Sequence, residues 1–383
     1  MVQRRYDFDV LRVFCTASIF LFHCLCIFAA EDYFITNPQT STILYVVVYL
    51  MLVWMLPVFF IISGRVTYYL LGRDSTLGLL KSRFLRCMVP FIFGVLFLSP
   101  IIIYLTRVFH HEYSGSLFSF YVNNYFHGFY GYGGNFSFLG NHLFYLLYLF
   151  GFTAFFLLLF RRNRWKRDQV KKHDWLALFQ KPGAIFLLSI PIIITTELNF
   201  IDPTVFGRTG TGGWNIFSHF LFFAYGLLFS SDHRFDTIID RHWKISGVIA
   251  IPLLATYAWF LTDIPYYNAV ASWPKAIVLG LAGFTTVLAI FGFAHQKITN
   301  PVKNITTLNE AVMPFYIIHF PIVIIFGFYV TQLDLGLIPK LAMVIGLSLV
   351  SILALYQVIK RFRVLRFLFG MKVKWRKNAE EEI

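Results

Sequence analysis

Residues 43–71 read ILYVVVYLMLVWMLPVFFIISGRVTYYLL, an apolar run in which Arg65 is the only charged residue. A bilayer-spanning helix needs roughly 20 mainly apolar residues, so this run by itself points to a membrane. Scanning outward finds nine more such runs, at about 9–30, 87–105, 141–160, 184–199, 214–230, 245–262, 276–296, 311–330 and 338–359. The pair at 184–199 and 214–230 are the shortest. The expected fold is an all-α polytopic membrane protein of about ten transmembrane helices, built as one domain over residues 1–383.

Composition agrees. Over 383 residues, 58% are hydrophobic, 20% aromatic and 14% charged, whereas soluble chains carry roughly 45–50% apolar and about 25% charged residues. Disordered, collagen-like and disulfide-stapled classes are excluded. The four cysteines, Cys15, Cys24, Cys26 and Cys87, lie in or beside predicted spans, where thiols behave as small apolar groups. The N-terminal apolar run is too long for a signal h-region and lacks a small-residue cleavage site, so the first span is expected to be retained.

A net charge of +14 invites a nucleic-acid reading until topology is considered. With ten spans both termini share a side. That side collects 27 of the 33 Lys and Arg, including Arg161, Arg162, Arg164, Lys166 and Arg167, against 4 on the other: Arg107, Arg208, Lys275 and Lys340. The positive-inside rule then makes both termini cytoplasmic, and the basic rim answers to anionic membrane lipids rather than nucleic acid. The run Lys372–Lys377 followed by Glu380–Glu382 reads as a solvated tail. The short loops suit a bacterial inner membrane.

Ionisable side chains at membrane depth are costly and mark candidate sites. Arg12 and His23 lie eleven residues apart on the first span, on one face and separated by about 16 Å along the axis, with Arg12 near the inner mouth and Asp9 placed to pair with it. The second span ends at Ser63-Gly64-Arg65, and Arg83 and Arg86 follow. Arg12, Arg65, Arg83 and Arg86 therefore form a candidate cationic funnel for a phosphorylated ligand, because guanidinium forks grip phosphate oxygens. Against this stand snorkelling for Arg12 and plain positive-inside signal for Arg83 and Arg86.

The ninth span carries Tyr316-Ile-Ile-His319-Phe-Pro321, where proline would free carbonyls one turn back and let a polar pocket form. The fourth begins Gly140-Asn141-His142, with Asn141 or Gly140 as its cap and His142 facing the lumen or interface. His219 reads as structural. Cys24 and Cys26 beside His23 diverge on a helix, so no metal is expected. The run Thr209-Gly-Thr-Gly-Gly-Trp214 follows no strand and fails the test for a nucleotide loop.

Five segments together resemble a known family: Asp9-x-Leu-Arg12 followed after ten intervening residues by His23, Phe60-x-x-Ser63-Gly64, Arg83-Phe-Leu-Arg86-x-x-x-Pro90, Gly133 to His142-Leu-Phe, and Asn309 to Tyr316-x-x-His319. The chain is similar in them to the membrane-bound acyltransferase-3 family of ten-helix O-acyltransferases, within it to the osmoregulated periplasmic glucan succinyltransferase branch. It departs at Phe144, where the family usually has Trp, and at Arg65, where a small or apolar residue is common. The resemblance implies transfer of an acetyl or succinyl group from cytoplasmic acyl-CoA (acetyl-CoA or succinyl-CoA) to a hydroxyl of a cell-envelope glycan or lipid-linked sugar. It implies His23 as general base, or as carrier of a covalent acyl group, with His319, Tyr316 and Ser63 assisting. Arg12, Arg65, Arg83 and Arg86 would hold CoA, while Asn141 and His142 would face the acceptor. A transporter or flippase for a polar or sugar-containing substrate is the alternative, and a non-enzymatic scaffold is a third. Nothing in the sequence excludes a homodimer.

Overall fold

The computed structural model describes residues 5–29, 33–71, 75–163, 176–201, 213–262 and 272–372. The basic residues Arg164, Lys166, Arg167 and Arg208, the start of the glycine-rich run, and the tail from 373 lie outside them. Among the described residues there is no strand, only the isolated bridges Ala29 to Ser41 and Phe129 to Phe136.

Among the described residues, eight helices are long and apolar enough to cross a membrane. They are α1 (Tyr6–Cys26), α2 (Thr42–Leu71), α3 (Thr76–Phe109), α5 (Phe144–Asn163, entered through the turn Asn141–Leu143), α9 (Arg234–Thr262), α10 (Ser272–Lys297), α11 (Ile305–Val330) and α12 (Leu337–Ile359). Two shorter apolar helices, α7 (Ser189–Ile201) and α8 (Ile216–Ser231), occupy the two shortest predicted runs. The described residues also form three small α-helices: α4 (Leu117–Asn123), α6 (Leu176–Gln180) and α13 (Arg363–Leu368). All ten predicted spans are therefore helices. The third and seventh begin eleven residues earlier than their apolar runs, at Thr76 and Arg234, because each helix continues through a charge-bearing segment beyond the hydrophobic stretch, with Lys81, Arg83 and Arg86 in one and Asp236 in the other.

The bundle closes most tightly where α2 meets α8. A Cβ on Gly64 would fall 2.0 Å from the Phe223 carbonyl, and one on Gly226 would fall 2.1 Å from the Ile61 carbonyl. Glycine at both positions lets the two backbones touch, the usual device where lipid removes the hydrophobic drive between helices.

One face is held together by charge. Asp236 at the start of α9 accepts from Arg65 of α2 at 2.6 Å and from Arg5 at 2.9 Å, and Arg5 also bonds Asp7 at 2.8 Å. Phe8 lies under both guanidinium groups, 4.4 Å from Arg5 and 5.0 Å from Arg65. On this same face Gly370 (φ +67°) packs so closely on the Arg86 carbonyl that a Cβ would stand 2.9 Å away. Both ends of the described chain thus reach one face, called here the N-terminal face.

At the opposite face the connection after α3 folds onto the bundle. Arg107 donates to Asn135 Oδ1 at 2.9 Å and the Gly134 carbonyl at 3.0 Å, and pairs with Glu112. Tyr125, fully buried, donates to the Val95 carbonyl at 2.6 Å. That carbonyl lies in a π-helical turn, Gly94–Leu98, whose register would pair it with residue 100. Residue 100 is proline and has no N–H to give.

A Gly226→Ala substitution is expected to push the α2 and α8 backbones apart at a cost of about 1–3 kcal/mol, read as a lower melting temperature in detergent. Asp236→Ala should cost more, about 3–5 kcal/mol, because it leaves the buried Arg65 guanidinium without its carboxylate.

Candidate active site

Three imidazoles from three elements meet inside the bundle. His23 comes from α1, His142 from the turn leading into α5, and His319 from α11. Their ring centroids are 5.2 Å apart for His23 and His319, 5.1 Å for His142 and His319, and 6.3 Å for His23 and His142. Phe320 lies against the His23 ring at 4.4 Å.

Local sequence explains how they are held. Pro321 gives no N–H to the carbonyl four residues back, that of Ile317. His142 Nε2 takes its place, donating to Ile317 O at 3.2 Å and Tyr316 O at 3.1 Å. The Tyr316 hydroxyl returns a bond to the His142 carbonyl. His319 Nδ1 donates to Tyr316 O at 2.6 Å. Carbonyls only accept, so these contacts assign the proton to Nε2 of His142 and to Nδ1 of His319. Their other nitrogens are buried and have no hydrogen-bond partner among the described residues. His142 reaches this position because Gly140 (φ +70°) and Asn141 (φ +53°) both take the left-handed conformation. Asn141 does not cap the helix; its Oδ1 accepts from Ser137 Oγ at 2.8 Å.

His23 Nδ1 stands 2.7 Å from the hydroxyl of Tyr33, which sits in the connection between α1 and α2. Sequence reasoning did not find Tyr33. A tyrosine ten residues beyond the histidine carries no local periodicity that would single it out.

Toward the N-terminal face the polar residues become cationic. Arg12 pairs with Asp9 at 3.7 Å, and its side chain keeps 30% of its surface exposed. Arg83 and Arg86 lie within electrostatic range of it and of each other. Arg83 donates to Thr67 Oγ1 at 3.1 Å, and Arg86 is exposed on the π-helical turn Phe84–Met88. Arg65 is set apart from these three: it is 3% exposed and gives its guanidinium to Asp236 and the Phe229 carbonyl. Ser63 shares a 2.5 Å hydrogen bond with Tyr145. The Tyr145 ring lies 5.9 Å from that of Tyr316 and within electrostatic range of Arg12 and Arg83. Ser63 and Tyr145, the latter also unforeseen, thus stand between the arginines and the histidines.

On the other side of the histidines a cavity of about 730 Å³ opens at the face opposite the N-terminus. His23, His142 and Tyr316 line its inner part, Tyr33, Phe34 and Tyr130 its walls, and Arg107 and Glu112 its outer part. His319 lies behind this lining. His219 stands apart, stacked on Phe60 at 4.6 Å with both ring nitrogens unpartnered among the described residues. Among the described residues no group of three or more His, Cys, Asp or Glu is arranged to hold a metal ion.

The acyltransferase domain family known as acyltransferase-3 matches residues 5–357. Relatives named glucans biosynthesis protein C are 24% identical over 380 residues in Escherichia coli O157:H7 and in Escherichia coli K12, covering 97% of this chain and 95% of theirs. The same protein from Escherichia coli O17:K52:H18 is 24% identical over 382 residues. No solved structure matches the chain. The match over nearly the full length, on a bundle of apolar membrane-length helices, makes this chain a member of the acyltransferase-3 family of integral membrane acyltransferases.

Proposed function

We propose that the protein is an O-acyltransferase that moves an acetyl or succinyl group from acyl-CoA to a hydroxyl of a cell-envelope glycan or lipid-linked sugar. The observation that carries this reading is the position of the three imidazoles, between a cluster of arginines on one side and a cavity open to the other. CoA has phosphates at one end and a thin pantetheine arm at the other. Arg12, Arg83 and Arg86 suit the phosphates, and the arm would run past Ser63 and Tyr145 toward His23. Arg65 has no part in this, since Asp236 already neutralises it.

The acceptor would enter the cavity, whose walls offer the ring faces of Tyr33, Tyr130 and Phe320 and whose Arg107 and Glu112 charges cancel in a pair. An uncharged sugar ring suits such walls better than an anionic polymer does, and relatives named for glucan biosynthesis support the same acceptor class. With the basic loops facing the cytoplasm, in a bacterial inner membrane, the donor is cytoplasmic and the acceptor external.

In the transfer, the acceptor hydroxyl oxygen attacks the thioester carbonyl carbon while a His23 ring nitrogen takes its proton. The C–O bond forms, the C–S bond breaks, and the proton passes from His23 to the departing CoA sulfur. Hydroxyl donors near the carbonyl, Tyr145 and Ser63 among them, would stabilise the oxyanion.

His23→Ala is expected to lower kcat by about 10²–10⁴-fold, the usual worth of a positioned base, with CoA binding retained. Full activity in a correctly inserted variant would sink this assignment. Arg12→Ala should weaken CoA binding in titration calorimetry by about 10- to 100-fold, the equivalent of one lost bond to a charged group. Movement of a sugar across vesicles without any acyl donor would instead favour transport.

A further inference from the structure

Two polar groups play no part in the chemistry above: the hydroxyl of the half-buried Tyr33 and the buried Lys340 ammonium. Lys340 is 5% exposed on α12. It donates to Asn37 Oδ1 at 3.2 Å and to the Thr331 carbonyl at 2.9 Å. A buried ammonium is costly unless bonded, so these contacts tie α12 to the segment 33–41. That segment is fixed further by Asn37 N to Ile27 O at 2.7 Å and Ser41 N to Phe28 O at 2.9 Å, with Ile35 and Asn37 buried. Phe34 stacks on Tyr130 at 5.8 Å and meets the edge of Phe320 at 5.2 Å. Tyr33 is therefore presented to His23 by a rigid stretch of chain, with its hydroxyl 2.7 Å from Nδ1.

A neutral imidazole has one N–H and one bare nitrogen. A base that uses Nε2 needs its proton on Nδ1, and Nδ1 then needs an acceptor. His142 and His319 each already give one N–H to a carbonyl and keep the other nitrogen bare. We infer that Tyr33 is the positioning residue of His23: its phenol oxygen accepts the Nδ1–H, leaving Nε2 as the basic nitrogen, and Lys340 pins the segment that delivers it. When His23 takes the acceptor proton at Nε2, the new positive charge is shared with an Nδ1–H that already has an oxygen to bond. The inference rests on the transferase reading for its consequence in catalysis, though not for the tautomer itself.

The test pairs kinetics with ¹⁵N-histidine NMR on the full-length protein in detergent or nanodiscs, wild type beside Tyr33→Phe. The phenylalanine is nearly isosteric and removes only the hydroxyl. His23 of the wild type is expected to show a protonated Nδ1 and a bare Nε2, and Tyr33→Phe to shift toward a tautomer mixture. Its kcat should fall about 10- to 100-fold, the typical loss when a histidine's orienting partner is removed, with KM for acyl-CoA and for acceptor unchanged within about twofold. Lys340→Met should give a smaller kcat loss of the same kind. A wild-type His23 protonated at Nε2, or a Tyr33→Phe protein with wild-type kcat, overturns the inference. The expected tautomer in a protein without acyl transfer would overturn the transferase reading and leave the positioning contact standing.

Discussion

A backbone carbonyl in hydrocarbon must find a donor within the protein, because no water is there to supply one. The candidate site is built on that constraint. Pro321 denies Ile317 its helical partner, and the donor that replaces it is the imidazole of His142, 175 residues away. The same thing happens at Val95 near Pro100, where Tyr125 of the outer connection provides the hydroxyl. The first contact brings the turn before α5 against α11 and fixes the proton of His142. The second draws the outer connection onto the bundle and forms the wall of the cavity.

The arginines at membrane depth divide by partner. Arg65 is neutralised by Asp236 and packed on Phe8, so it joins α1, α2 and α9 and has little left for a ligand. Arg12 has Asp9 as its carboxylate partner, and Arg12, Arg83 and Arg86 repel one another. Clustered like charges are tolerated where an anion can reach them, and a phosphorylated donor is such an anion. The arrangement gives opposite characters to the two approaches, cationic on one side and aromatic with paired charge on the other.

Much of this was legible in the chain. The ten apolar runs, the placing of Arg12 and His23 on one helix, the Asp9 partner of Arg12 and the carbonyl freed by Pro321 all follow from helical periodicity and proline chemistry, which are local. What escaped reading is long-range. Nothing near Arg65 in sequence marks Asp236, 171 residues on, as its partner, so sequence alone groups Arg65 with Arg12, Arg83 and Arg86. Tyr33 and Tyr145 are two of 21 tyrosines, and only tertiary packing distinguishes them. Of the two cap candidates, Gly140 holds the N-cap position of the turn Asn141–Leu143, while the left-handed backbone at residues 140 and 141 turns the Asn141 side chain to Ser137.

In the proposed transfer, donor and acceptor meet at the histidines from opposite faces. The most direct measurement uses proteoliposomes of known orientation, with labelled acyl-CoA confined to the face of Arg12 and acceptor glycan to the other. Labelled ester on the glycan and free CoA in the donor compartment are the predicted result. Transfer only when both substrates share one compartment would contradict it.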